Sequence, residues 1–201
     1  MRKSGMLIAA LGLCLAAPMQ SASAEVTTQS DSGFAIKLSA EVPAAKADVW
    51  KALVAPARWW SGAHTYSGDA ANLYIDSQAT GCFCEKLPKP AGAPADQRMG
   101  SVEHMHIVYA DPERGMLRLK GGLGPLQGEP VDGVWTITLE PAEGGGTRIV
   151  WNYAVNGLMQ IKGGDIGPMV DTVMGQQLAR LVALFQPAVQ PEDVSPELIT
   201  N

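Results

Sequence analysis

All three histidines, His64, His104 and His106, fall between residues 64 and 106, together with Cys82 and Cys84. Cys82-Phe83-Cys84 and His104-Met105-His106 each sit in a stretch that reads as a strand. Side chains on a strand alternate between faces, so each pair shares one face. The two stretches are consecutive. If the link between them is centred near Pro94, Cys84 faces His104 and Cys82 faces His106. Two thiolates and two imidazoles so placed are a tetrahedral zinc set. A register change of one residue would move the two pairs to opposite faces. Oxidation, register and strand geometry would all have to cooperate, so the expectation is that no metal is tightly held and no cofactor is required. The other reading of the cysteines is a disulfide. Two residues of extended strand separate Cα atoms by about 6.6 Å, near the upper limit for a bridge. Free thiols or a labile bridge are therefore expected.

Glu85 points to the face opposite both cysteines. Buried among apolar side chains, it would have a raised pKa and could act as general acid or base. The commoner alternative is a pair with a nearby arginine, and Arg118 is the candidate. Trp151 and Tyr153 share a face with Ile149 and Val155, which reads as core or cavity wall. The Tyr153 hydroxyl could orient a ligand or simply be satisfied in the core. Of Trp59 and Trp60, one ring is expected to pack and one to stand at a pocket rim. The ligand-binding candidates are Trp60, Tyr66, Phe83, Glu85, His104, Trp151, Tyr153, Met174 and Leu178. No Gly-rich phosphate loop followed by Lys-Ser/Thr occurs, and no G-x-S-x-G elbow.

These residues need a scaffold. Asp165 to Phe185 is the longest helical pattern. Val170, Met174, Leu178, Leu181 and Phe185 share one face, and Met169, Val173 and Val182 widen it. Asp165 can cap the first turn, and Pro187 ends the run. Gly175 in mid-helix marks either close packing or room for a ligand. Phe34, Ile36 and Leu38 alternate as a half-buried strand, and Pro43 to Val54 reads as a short helix. Strands follow at 73–76, 81–87, 99–109, 115–120, 131–140 and 147–155, with no helix between them. The sheet should therefore be antiparallel. The class is α+β: a curved antiparallel sheet wrapped around a long carboxy-terminal helix, with a ligand-sized cavity between them.

The chain has 201 residues and a net charge of −5. Arg2 and Lys3 precede an apolar run from Met6 to Ala17, and Ala22-Ser23-Ala24 is an A-x-A cleavage site, so residues 1–24 read as a signal peptide. Removing 24 of the 201 residues leaves 177, one domain by length. Removing Arg2 and Lys3 from the 15 basic residues leaves 13 against 20 acidic ones, a net charge of −7. Such a chain has no basic surface for nucleic acid, and after cleavage it keeps no membrane span. Export to the periplasm or beyond follows. Residues 25–33 are polar and expected to be flexible, 34–186 form the domain, and 187–201 are a Pro-rich tail.

Val42-Pro43-Ala44, Val49-Trp50-Lys51-Ala52-Leu53, Pro56 and Trp59-Trp60 resemble the opening of the helix-grip superfamily, which includes Bet v 1, START and polyketide cyclase proteins. The nearest branch looks like the proteins similar to the carboxy-terminal domain of the Hsp90 ATPase activator. Gly81 to Glu85, Gly100-Ser101-Val102, Trp151-Asn152-Tyr153 and the last helix fall in the matching order. The resemblance implies a seven-stranded sheet, two small helices and a cavity under the long helix. This chain departs from the branch in its export and in the cysteines flanking Phe83. Three functions are open. The favoured one is binding of a hydrophobic or aromatic small molecule or lipid, without catalysis. The others are a cyclase- or dehydratase-like enzyme using Glu85, His104 or Tyr153, and a protein-interaction module, which an exposed apolar patch at Trp59–Trp60 would favour.

Overall fold

The structure is a computed structural model that describes residues 23–186. The expected leader up to residue 22 and the tail 187–201 lie outside the described residues. Eight strands run β1 (Ser23–Ser30), β2 (Gly33–Val42), β3 (Leu73–Ile75), β4 (Cys82–Leu87), β5 (Gly100–Asp111), β6 (Met116–Lys120), β7 (Val131–Pro141) and β8 (Thr147–Gly157). Helix α1 (Lys46–Leu53) follows β2, and α2 (Gly163–Ala183) follows β8. The strands form one antiparallel sheet in the order β1-β2-β8-β7-β6-β5-β4-β3. The first and last long strands, β2 and β8, are thus neighbours, with Phe34 opposite Val155 and Leu38 opposite Trp151.

Alternation decides which face is inside. Phe34, Ile36, Leu38, Ala40 and Val42 are buried along β2, and Ile149, Trp151, Tyr153 and Val155 along β8. That inner face receives α2, which packs mainly against β1 and β2. Three tryptophans fill much of the space between sheet and helix. The Trp135 and Trp151 ring centroids are 4.9 Å apart, and those of Trp59 and Trp151 5.8 Å apart. Burying side chains of this size is the dominant favourable term in the fold.

Two expectations need correction at the amino-terminal end. The polar segment 25–33 is not loose: most of it is β1, an edge strand on β2, so the sheet has eight strands rather than seven. An edge strand needs few buried side chains to pair through its backbone, and half-buried Val26 packing against the core supplies one. Nor does Asp165 cap α2. The helix begins two residues earlier, after Lys162, and Asp165 lies within its first turn. Gly163 and Gly33 make this possible. A Cβ on Gly163 would lie 2.3 Å from the Gly33 carbonyl oxygen, so only glycine permits the helix start to sit on the β1–β2 turn. The Lys162 ammonium, 3.0 Å from an Asp31 carboxylate oxygen, ties down the same corner.

The stripe on α2 is as read at Met174, Leu178, Leu181 and Val182, which are buried. Val170 and Val173 are half-buried, and Met169 is 56% exposed. Buried Gln177 interrupts the apolar face. In α1 the buried residues are Val49, Trp50, Ala52 and Leu53, and Ala45, just before the helix, is exposed. Among the described residues no helix is long and apolar enough to cross a membrane.

Candidate functional site

The strand pair β4–β5 is irregular where the chemistry lies. Cys82 faces His106 and Phe83 faces Met105, but Cys84 faces Glu103, so His104 is an extra residue without a partner on β4. This is a β-bulge. It turns His104 to the inner face beside buried Met105, while His106 stays on the outer face, 46% exposed. The expected H-x-H face is thereby broken. The two cysteines and two histidines do not form one set, and among the described residues no three His, Cys, Asp or Glu side chains cluster to hold a metal ion.

The bulge also bears on the cysteines. Cys82 and Cys84 are joined by a disulfide, with Cα atoms 5.4 Å apart. A bulge increases local twist, and a twisted strand rises less per residue than an extended one. The separation therefore falls inside the range a bridge spans. The reading of free thiols assumed a fully extended strand and is replaced by a bridge.

On the inner face, His104 meets Glu85. His104 Nε2 donates to Glu85 Oε2 at 2.9 Å, and the two side chains are 6% and 0% exposed. The backbone N–H groups of Tyr66 and Ser67 donate to the same carboxylate at 3.0 and 2.5 Å. Burial pushes the Glu85 pKa up, but hydrogen bonds from Ser67, Tyr66 and His104 outweigh it and hold the pKa below its ordinary value. The expected raised pKa is thus reversed: Glu85 is a satisfied carboxylate, not an acid waiting to donate. Arg118 is not its partner either. Its Nε donates to Thr136 Oγ1 at 3.0 Å, and its guanidinium stands 6.0 Å from the centre of the Tyr109 ring.

Burial lowers the His104 pKa, and the Glu85 hydrogen bond and charge only partly offset it. The imidazole is therefore neutral near pH 7. A carboxylate has no proton to give, so the shared proton sits on Nε2 and Nδ1 is left as an acceptor. The ring lies between Phe83 and Tyr66, with centroids 4.9 and 5.9 Å away.

Above His104 opens a cavity of about 550 Å³. One wall is the first half of α2, with Ile166, Met169, Val170, Val173 and Met174. The second is Leu123-Gly124-Pro125 between β6 and β7, and the third is the rim Trp60 and His64 to Tyr66. Each wall is anchored. Trp60 Nε1 donates to the His64 carbonyl at 2.9 Å, and Gln177 Oε1 accepts the Ser61 N–H at 2.8 Å. Arg180 Nε reaches the Trp59 carbonyl at 2.8 Å. Tyr153, buried on β8, accepts the Leu123 N–H at 3.1 Å and donates to the Gly121 carbonyl at 3.2 Å. Its hydroxyl is thus used within the fold, and burial raises its pKa despite the Leu123 hydrogen bond.

Of the nine candidate ligand residues, Trp60, Tyr66, His104 and Met174 border the cavity. Phe83 and Glu85 lie behind His104. Trp151, Tyr153 and Leu178 are fully buried in the core and are not on the wall. Gly175 is half-buried and is not on the wall either, so the room comes from Val170 and Val173 on the preceding turn rather than from a missing side chain. Sequence reading missed Gln177 and Arg180 as anchors of the rim. The usable signal was a glutamine inside an otherwise apolar helix stripe.

No protein-family model matches the chain, and no curated protein matches it. Solved structures do. An uncharacterized protein from Rhizobium leguminosarum is similar at 20% identity and a TM-score of 0.52, over 84% of this chain and 98% of that one. A protein from Mycobacterium smegmatis is similar at 14% identity and 0.51, over 78% and 93%. One from Mesorhizobium loti is similar at 15% and 0.50, over 75% and 95%. This is a helix-grip fold. The likenesses support that architecture and nothing finer. In helix-grip terms, the grip is tight over the Trp135–Trp151 half and open over the amino-terminal half of α2, where the cavity lies.

Proposed function

We propose that this is an exported protein that binds a hydrophobic or aromatic small molecule in the cavity against α2. The observation that carries the reading is the cavity of about 550 Å³ whose wall has one buried polar side chain among the described residues, His104. Ligand pockets typically span about 300–1,000 Å³ and pair an apolar lining with a few placed polar groups. A ligand with an apolar body and one O–H or N–H donor suits an imidazole whose Nδ1 accepts. No basic surface run supports a nucleic-acid partner.

The test uses a fluorescent apolar probe such as anilinonaphthalene sulfonate and native mass spectrometry of the purified protein. Wild type should bind the probe. Val173→Trp fills the cavity and should weaken binding at least about tenfold while the protein stays folded. Equal binding by both proteins, or none by wild type, overturns the reading.

Export rests on the charged start, the short apolar run and the A-x-A site. Cleavage before Glu25 would spare the β1 pairs from Glu25↔Lys37 to Ser30↔Gly33 and lose only those of Ser23 and Ala24. Amino-terminal sequencing of protein recovered outside the cytoplasm should begin at Glu25; an intact Met1 overturns this part.

Catalysis is the second reading, and one observation favours it: a carboxylate-oriented imidazole bordering a cavity is the arrangement of a general base. Glu85 would then position His104 rather than react, and Tyr153 would take no part. The interaction-module reading loses its motive, because Trp59 and Trp60 are buried.

A further inference from the structure

The Cys82–Cys84 bridge lies on the outer face of β4, opposite the face that carries Glu85 and the cavity. It encloses one residue, so it closes a very short loop and constrains the unfolded chain little. Its strand is already held on both sides by β3 and β5. Stapling the fold therefore gives a poor account of it.

Its surroundings suit exchange chemistry. Cys82 is half-buried and Cys84 is 7% exposed, so Cys82 is the more accessible of the two residues. His106 stands directly across from Cys82, and Glu103 directly across from Cys84. Residues directly opposite on one face have Cβ atoms about 4.5–5.5 Å apart. His106 Nδ1 lies 3.3 Å from Glu103 Oε1, which holds the imidazole over this patch. With its Nδ1 proton turned to Glu103, the imidazole leaves Nε2 to take the proton of a Cys82 thiol, and the imidazolium so formed stabilises the thiolate.

We propose that Cys82–Cys84 is a redox-active disulfide that oxidises dithiols, with Cys82 the exchanging sulfur and Cys84 the resolving one. The partner class is a peptide or protein segment with two nearby cysteine thiols. One partner thiolate attacks Cys82 Sγ. The Cys82–Cys84 bond breaks, its electron pair leaves on Cys84 Sγ, and that sulfur takes a proton from water. The partner is now joined to Cys82 as a mixed disulfide. Its second thiolate attacks its own bridged sulfur and releases Cys82 as a thiolate beside His106; that thiolate then takes a proton from water. The partner has lost two electrons and two protons and holds a disulfide; Cys82 and Cys84 have gained them as two thiols. Each molecule turns over once before it must be reoxidised.

The experiment mixes natively folded, oxidised protein with a dithiol peptide at neutral pH, then alkylates free thiols with a maleimide and counts them by mass. One peptide disulfide should form per protein molecule, with Cys82 and Cys84 both alkylated. Cys84→Ala, given the disulfide-linked dimer of a one-cysteine peptide, which leaves no second thiol on the bound segment, should stop at a stable mixed disulfide on Cys82. His106→Ala should keep its circular dichroism spectrum and exchange about tenfold more slowly. A bridge that survives excess dithiol peptide in the native protein and opens only in denaturant overturns the proposal, without touching the cavity reading. So does exchange at the wild-type rate in His106→Ala, or a mixed disulfide found on Cys84 of Cys82→Ala as readily as on Cys82.

Discussion

Glu85→Ala is expected to lower the unfolding free energy by about 3 kcal/mol or more, among the largest effects of any polar substitution in the domain. The carboxylate is fully buried and accepts from Tyr66 N–H, Ser67 N–H and His104 Nε2–H. Alanine leaves all three donors without an acceptor. A buried donor left unsatisfied costs about 1–3 kcal/mol, reduced where the loop relaxes enough to admit water. Glu85→Gln keeps one acceptor oxygen and presents an NH₂ to the other donor, so its cost should be smaller. Urea denaturation of the three proteins checks the order, and equal midpoints would remove Glu85 as the anchor of the rim.

The same pair sets a pH dependence. His104 has a folded pKa below its ordinary 6.5, so between the two values the unfolded chain binds a proton that the native state does not. Stability is therefore full above pH 6.5 and is lost as pH falls through the folded value. Glu85 has a folded pKa below its ordinary 4.5, and the same sign holds for it at lower pH. Acidification should thus weaken wild type first below pH 6.5 and again below 4.5. His104→Phe should remove the first loss and leave a smaller second one, because the donors from Tyr66 and Ser67 remain.

Much of this was legible in the chain. Alternation from Phe34 to Leu38 and from Ile149 to Val155 placed the neighbouring strands β2 and β8 and their inner face. The helix stripe at Met174, Leu178 and Leu181 located the element that covers them. What escaped was set by long-range contact. Glu85 reads as a lone buried acid because its two backbone donors, at Tyr66 and Ser67, come from a loop 18 and 19 residues earlier. The bulge at His104 leaves no mark in residue type. Register alone places His104 inside and His106 outside, and it separates a pair that local alternation puts together. Edge strand β1 escaped because its pairing is carried by backbone groups, which polar side chains do not reveal.

Trp151→Ala is expected to cost about 3–5 kcal/mol, enough to unfold a marginal domain. Trp151 is fully buried, opposite Leu38 on β2 and Ile137 on β7, with Trp59 and Trp135 against its ring. Alanine removes the ring that fills the closed half of the grip, and neighbours on three rigid strands cannot collapse into the space. Trp151→Phe should behave differently. The indole N–H of Trp151 is buried without a hydrogen-bond partner. Phenylalanine deletes that unsatisfied donor together with part of the ring, so the smaller void is offset by the lost desolvation penalty. Its cost should fall to about 1–2 kcal/mol. Thermal and urea denaturation of the two variants decide the matter. Near-equal losses would mean that the N–H is satisfied in solution.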